Sequence, residues 1–233
     1  MEPTVNLADP PVLLTARARA DLPPGPLARA PRFATLPPGA PARAAVEHFI
    51  GTVYARHYGA RLRGFMPTLV SLGDDDRPAA AAGYRAASGE PLFLEHYLSQ
   101  PVEQAIAAQL GRPVARASIV EVGQFASMVP GQGRRLMAHL GRHLADAGFD
   151  WVVSTATAEL RQLFERLRIR PLVLGQADPV RLGAAAANWG SYYAHAPLVL
   201  AGEIRSNLAR FAAPVAAAPV AAMTTVGLTA GPA

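Results

Sequence analysis

Apolar residues recur three and four apart over residues 42–58, where Val46, Phe49, Ile50, Val53, Tyr54 and His57 share one face and predict an amphipathic helix. Stretches 65–72 and 79–85 read as two strands joined by the polar turn 73–78. Residues 91–98 form a compact apolar segment carrying Glu95 and His96, and 101–110 a short helix with Pro101 in its first turn. The longest strand-like run starts at Ile119 and ends at Ser127 to Pro130. A Gly131-Gln132-Gly133 turn then opens a helix along which Leu136, Met137, Leu140 and Leu144 recur, stopping near Gly148. A second apolar run, 151–155, follows at once, so strand, glycine turn, helix and strand predict a βαβ unit with a right-handed crossover.

Beyond it, 156–167 reads as an amphipathic helix with Leu160, Leu163, Phe164 and Leu167 inward, and 169–174 as a strand. Residues 178–187 read as a loop or irregular turn, 195–200 as a last strand and 201–211 as a short helix. The pattern predicts an α/β (α+β) core over 42–211 with a central mixed sheet flanked by helices. Residues 1–41 are rich in Pro, Ala and Arg without sustained periodicity and are expected to form a flexible arm, and 212–233 a disordered Ala/Pro-rich tail.

Composition narrows the class. At 51% hydrophobic residues the 233-residue chain can bury a sizeable core. No stretch reaches the ~18 apolar residues of a membrane helix, and the start lacks the pattern of a secretory signal. The absence of cysteine excludes disulfides, a thiol nucleophile and cysteine-bound metal, and fits a cytoplasmic protein. Every one of the 22 basic residues is arginine, which points to biased composition rather than a designed basic surface. With the +5 charge spread thinly and no arginine–aromatic cluster, nucleic acid is not expected as a partner. Anionic partners are still favoured: phosphorylated cofactors, acidic carrier proteins, or lipid headgroups in peripheral membrane contact.

Candidate chemistry gathers around the central strand. The glycine turn leaves N–H groups of Gln132, Gly133, Arg134 and Arg135 at the positive end of a helix, with two arginines beside them, a means of holding phosphate; glycine there is equally explained by backbone geometry. Glu121 lies within an apolar strand, where burial raises a carboxylate toward useful basicity; it is read either as a general base or as half of a structural pair with Arg85 or Arg116. Glu95, also among apolar neighbours, is read as an amine ligand or a structural carboxylate. Trp189, Tyr192 and Tyr193 either cap the core or line a pocket. His139 and His143 stand one helical turn apart without an acidic companion, the triple aspartate 74–76 suits a turn, and no Gly-x-Ser-x-Gly elbow occurs, so neither a metal site nor a serine hydrolase is predicted.

Phe65-Met-Pro-Thr-Leu69, Gly83-Tyr-Arg85, Glu90-Pro-Leu-Phe-Leu-Glu-His-Tyr-Leu98, Ile119-Val-Glu-Val-Gly123 and Trp189-Gly-Ser-Tyr-Tyr193, in this order, resemble the bacterial thermostable hemolysin family over about 43–204. The order of elements is similar to the GNAT acyltransferase fold, and Glu-x-x-x-Phe-Ala at 121–126 resembles the acyl-homoserine-lactone synthases, which take acyl chains from acyl carrier protein. The resemblance implies transfer of an acyl group from acyl-CoA or acyl carrier protein to an amine of a small acceptor, without a metal. It implies that Met128 to Arg135 receive the donor's phosphates and that a backbone N–H around Phe125, Ala126 and Ser127 receives the oxyanion. Two positions depart from the GNAT pattern. Met128 stands where a polar residue belongs, which binding to a carrier protein tolerates, and Leu163-Phe164 stand where a tyrosine acts as general acid, a role Tyr192 or Tyr193 would have to take. The hemolysin name implies membrane lysis instead. An acyltransferase with a surface-active, lipid-like product reconciles the two.

Overall fold

The computed structural model describes residues 31–212 except 75–76. Seven strands form one sheet in the order β1-β2-β3-β4-β5-β7-β6. They are β1 (Arg32–Leu36), β2 (Thr68–Asp74), β3 (Arg77–Ala86), β4 (Ile119–Ser127), β5 (Trp151–Ala156), β6 (Leu172–Gln176) and β7 (Leu198–Glu203). Only β4 and β5 run parallel; every other neighbouring pair is antiparallel. The α-helices among the described residues are α1 (Arg43–Tyr58), α2 (Val102–Leu110), α3 (Gln132–Asp146), α4 (Ala158–Arg166) and α5 (Ile204–Ala212).

The expected βαβ unit is present as β4, α3 and β5. α3 and α5 cover one face of the sheet, with Leu136, Leu140 and Leu144 packed on Val70, Leu72, Ala80 and Val120. On the other face, Val46, Ile50 and Tyr54 of α1 pack on Leu69, Ala81 and Ala126. Beside them α2 and a 3₁₀ turn, Phe93–Tyr97, bury Ile106, Val102 and Leu94 against Ile119 and Val153. Each fully buried leucine contributes about 1.5–3 kcal/mol by leaving water.

The structure corrects the sequence reading at several points. Residues 32–36, assigned above to a structureless arm, form the edge strand β1 along β2, so the sheet begins before the expected boundary at 42. Arg43 fastens this strand: its guanidinium donates to the carbonyls of Leu36, Met66 and Pro67 at 3.0, 2.8 and 2.9 Å. β6 and β7 start later than predicted, at Leu172 and Leu198; Arg168 and Ala196 take left-handed conformations (φ 57° and 46°) ahead of them, where no glycine signals a turn. The expected loop or irregular turn at 178–187 is part of a kinked 3₁₀ stretch, Pro179–Trp189, interrupted by the non-helical Gly183. The rest of the arm, the tail beyond 212 and two residues of the aspartate turn lie outside the described residues.

Candidate functional site

β4 and β5 pair only at Ile119–Trp151, Val120–Val152 and Glu121–Val153. Past Glu121 the two strands part, although β4 continues to Ser127 and β5 to Ala156. A bulge in β4 accompanies the parting: the register with β3 shifts between Ala81 and Gly83, and Gln124 takes φ 54°. The Gln124 amide offsets that strain by holding the chain ahead of β2, accepting from Met66 N–H at 3.0 Å and donating to Gly64 O at 2.8 Å.

A mainly apolar cavity of about 1210 Å³ occupies the opening. It reaches Phe93 and Trp189 on one face and Leu140 and Leu208 on the other. Leu160, Leu163 and Phe164 of α4, expected to face the core, line this cavity instead, which is why none of them is fully buried.

Of the predicted donor residues, Phe125, Ser127, Met128, Gly131, Gly133 and Arg134 lie on the cavity wall, whereas Ala126 is core and Gln132 and Arg135 do not line it. Gly131 caps α3 with φ 80°. The Gln132 and Arg135 amides are used by Val129 O and Gly131 O, which leaves those of Gly133 and Arg134 at the helix's positive end. A side chain on Gly133 would meet the Phe125 ring at 3.2 Å and Ser127 Cβ at 3.3 Å, so close packing also favours glycine there.

The two carboxylates separate clearly. Glu121 sits at the point where the strands part, 3% exposed, and lines the cavity. Burial pushes its pKa up, opposed by N–H groups of Leu94 and Phe93 at 2.9 and 3.0 Å and by Arg85, whose Nε is 3.7 Å from Oε2. Of the two arginines weighed as its partner, Arg85 is the neighbour. Glu95 does not line the cavity. Arg116 grips both its oxygens at 2.7 and 2.9 Å, and the amides of Leu92 and Val102 donate to it at 2.8 and 2.9 Å. Those contacts, Arg116 foremost, hold its pKa down to about 2, so it is a poor base with few free lone pairs. Glu95 is thereby tied into the frame of the turn and away from the cavity.

Tyr192 lines the cavity, buried, with its hydroxyl donating to Thr155 O at 3.1 Å, while Tyr193 lies behind the wall with its hydroxyl 2.7 Å from that of Tyr97. Burial raises the pKa of all three phenols, so they are neutral hydrogen-bonding groups at pH 7. Tyr97 is a wall residue that the sequence reading did not single out.

A second polar group on the wall was also not anticipated. His195 Nδ1 lies 2.7 Å from Glu159 Oε1, Tyr58 packs edge-on against His195 and His57, and Glu159 Oε2 is buried without a hydrogen bond. Burial alone would raise Glu159, yet the His195 contact carries it below the usual carboxylate range; burial and the neighbouring His195 lower His57. These side chains come from α1, α4 and the turn Tyr192–His195, and no local pattern links them.

Among the described residues no cluster of three or more metal-ligating side chains occurs, and no helix is long and apolar enough to cross a membrane.

Comparison with known proteins follows the same lines. The model of the family described as thermostable hemolysin matches residues 36–208. Among solved structures, a CoA-dependent acyl-homoserine lactone synthase, BjaI, with SAM and isopentyl-CoA, is 14% identical with a TM-score of 0.53, covering 78% of this chain and 87% of that one. TofI, in a ternary complex with an inhibitor and MTA, is 15% identical with a TM-score of 0.52 over 79% and 98% of the chains. The AHL synthase LasI is 10% identical with a TM-score of 0.52 over 75% and 90%. At such identities the likeness is one of fold, and the fold is GNAT-like, as the order of elements implied. No curated protein matches the sequence.

Proposed function

The chain belongs to the thermostable hemolysin family, and from that premise we propose that it is a cytoplasmic N-acyltransferase moving a fatty acyl group from acyl-CoA or acyl carrier protein to an amine of a small acceptor. One observation carries the reading: the parallel strands β4 and β5 part over an apolar cavity at the very residue, Glu121, whose carboxylate is buried. An apolar volume of this size suits an acyl chain, and a buried carboxylate of raised pKa suits proton abstraction from an ammonium.

Glu121 takes one proton from the acceptor's ammonium. The amine nitrogen then attacks the thioester carbonyl, forming the C–N bond, and the oxyanion of the tetrahedral intermediate needs donors. Ser127 and Phe125, expected from the sequence to supply them, stand six and four residues along β4 from Glu121, roughly 20 and 13 Å, too far to hold an oxyanion formed beside that carboxylate. The C–S bond breaks, the thiolate leaves with the electron pair, and the second proton of the nitrogen goes to it. Tyr97, backed by the Tyr193 hydroxyl, can hydrogen-bond the departing sulfur; it is not acidic enough to protonate it outright. Gly133, Arg134 and the start of α3 would receive the donor's phosphate, with the exposed Met128 and Val129 beside them as an apolar lip for a carrier protein or a peripheral membrane. An N-acyl product is amphiphilic, which links this chemistry to the lytic name of the family.

The test is thermal shift of the full chain with acyl-CoAs of increasing length and with acyl carrier protein thioesters. Stabilisation that grows with chain length and is lost in Gly133→Glu supports the donor site. No shift with any thioester would remove the transferase reading and leave direct membrane lysis as the working hypothesis.

A further inference from the structure

Building on the acyltransferase reading, we infer that the acceptor is an α-amino acid, or another amine with an adjacent carboxylate, whose carboxylate is held by Arg85 while its amine faces Glu121. Arg85 and Glu121 are cross-strand partners on β3 and β4, and both line the cavity.

Arg85 carries an Nε that is buried beside Glu121 without a hydrogen bond; Arg134 shares this feature, but at the start of α3 on the donor side of the cavity. Glu121 Oε2, at 3.7 Å, is beyond hydrogen-bond distance and occupied by the Phe93 amide, and the second neighbour, Glu90, approaches Arg85 only at 4.0 Å with a side chain 81% exposed. Arg116 shows the contrast: Glu95, Glu103 and Ala87 O satisfy it. A buried guanidinium N–H without a hydrogen bond is costly, and a carboxylate meeting the Nε edge of this group, whose side chain is 26% exposed, satisfies it through two parallel N–H···O bonds.

Geometry selects the kind of anion. In an α-amino acid the nitrogen and the carboxylate carbon are about 2.5 Å apart, a spacing that an adjacent Arg85 and Glu121 can engage together. Six residue steps along β4, roughly 20 Å, separate Glu121 from Ser127, so the donor's phosphate at the start of α3 does not reach Arg85. The anion at Arg85 therefore belongs to the acceptor. A plain amine would leave the guanidinium unsatisfied, and a site built for a charged group discriminates strongly against analogues that lack it.

The experiment measures amide formation by the full chain from octanoyl-CoA, and from octanoyl-carrier protein, with matched acceptors: leucine against 3-methylbutylamine, phenylalanine against phenethylamine, tyrosine against tyramine. Leucine methyl ester, which loses the negative charge without any change in the protein, is run beside them. The expected result is a kcat/KM at least about tenfold higher for the amino acid of a preferred pair, with the ester behaving like the amine. Arg85→Gln should erase the preference chiefly through KM, and Arg85→Lys should restore part of it. If Arg85→Gln does not fold, the ester and Arg85→Lys still decide. Equal use of amino acid, ester and amine, or a preference that survives in Arg85→Gln, would overturn this inference and leave the transferase reading intact. No amide and no thiol release with any acceptor would overturn both.

Discussion

Glu95 and Glu121 grip neighbouring amides of one short turn: Glu95 accepts from Leu92 N–H at 2.8 Å, Glu121 from Phe93 and Leu94 at 3.0 and 2.9 Å. Their surroundings then drive them apart. Arg116 saturates Glu95 and lowers its pKa, while burial raises that of Glu121. Two carboxylates that hold one turn thus meet opposite surroundings, one saturated by Arg116 and the other buried at the cavity wall.

Glu95 makes acid stability predictable. Its pKa falls from 4.5 to about 2 on folding, so its stabilisation is complete above pH 4.5 and is lost as pH drops from there toward 2. Glu95→Gln should flatten that part of the stability profile in chemical denaturation. Arg116→Ala should cost about 1.5–3 kcal/mol at pH 7. A profile unchanged in Glu95→Gln would contradict the assignment.

Glu121 gives the opposite sign. Its raised folded pKa means that its contribution to stability is present below the unfolded value of 4.5 and lost as pH rises through the folded value. Over that same interval the carboxylate becomes a competent base, so turnover should climb as stability declines. A rate that falls across the rising limb would argue against a base at this position.

Gly190 holds the Trp189–Tyr192 wall against the end of α1. It sits at φ 54° and ψ −127°, and a Cβ there would come within 2.0 Å of Tyr58 O. Gly190→Ala should destabilise by at least about 2 kcal/mol and weaken donor-induced stabilisation by displacing the wall. A melting temperature equal to that of the unaltered chain would show the wall to be loosely held.

Core and cavity positions should differ. Leu136 is fully buried, and Leu136→Ala should cost roughly 2–5 kcal/mol, whereas Leu160 faces the cavity and Leu160→Ala should cost clearly less. Leu160→Trp should instead shift acyl-chain preference toward shorter donors, read from relative rates across a chain-length series. An unchanged preference would place the acyl chain elsewhere.

The run from β4 through α3 to β5 was legible because its apolar spacing is dense and the Gly131–Gly133 turn punctuates it. β1 was not, since Arg-Phe-Ala-Thr-Leu sits in Pro/Ala/Arg-rich sequence and is fixed by long-range contacts, Arg43 among them. The parting of β4 and β5 has no local signature, for it depends on where pairing stops. Glu95 and Glu121 looked alike in sequence, each among apolar neighbours. Only the distant Arg116 and the cavity distinguish them. The contact between Glu159, His195 and His57 joins three elements that sequence spacing does not relate.

The most direct test of acyl transfer at Glu121 is free-thiol release by the purified full chain, with acyl-CoA or acyl carrier protein as donor and an amino-acid mixture as acceptor, compared with Glu121→Gln of unchanged donor binding. Amine-dependent release is expected in the unaltered chain, with a fall of about 10²–10⁴-fold in the variant. Equal rates in the two proteins, or no amine-dependent release from any donor, would contradict acyl transfer there.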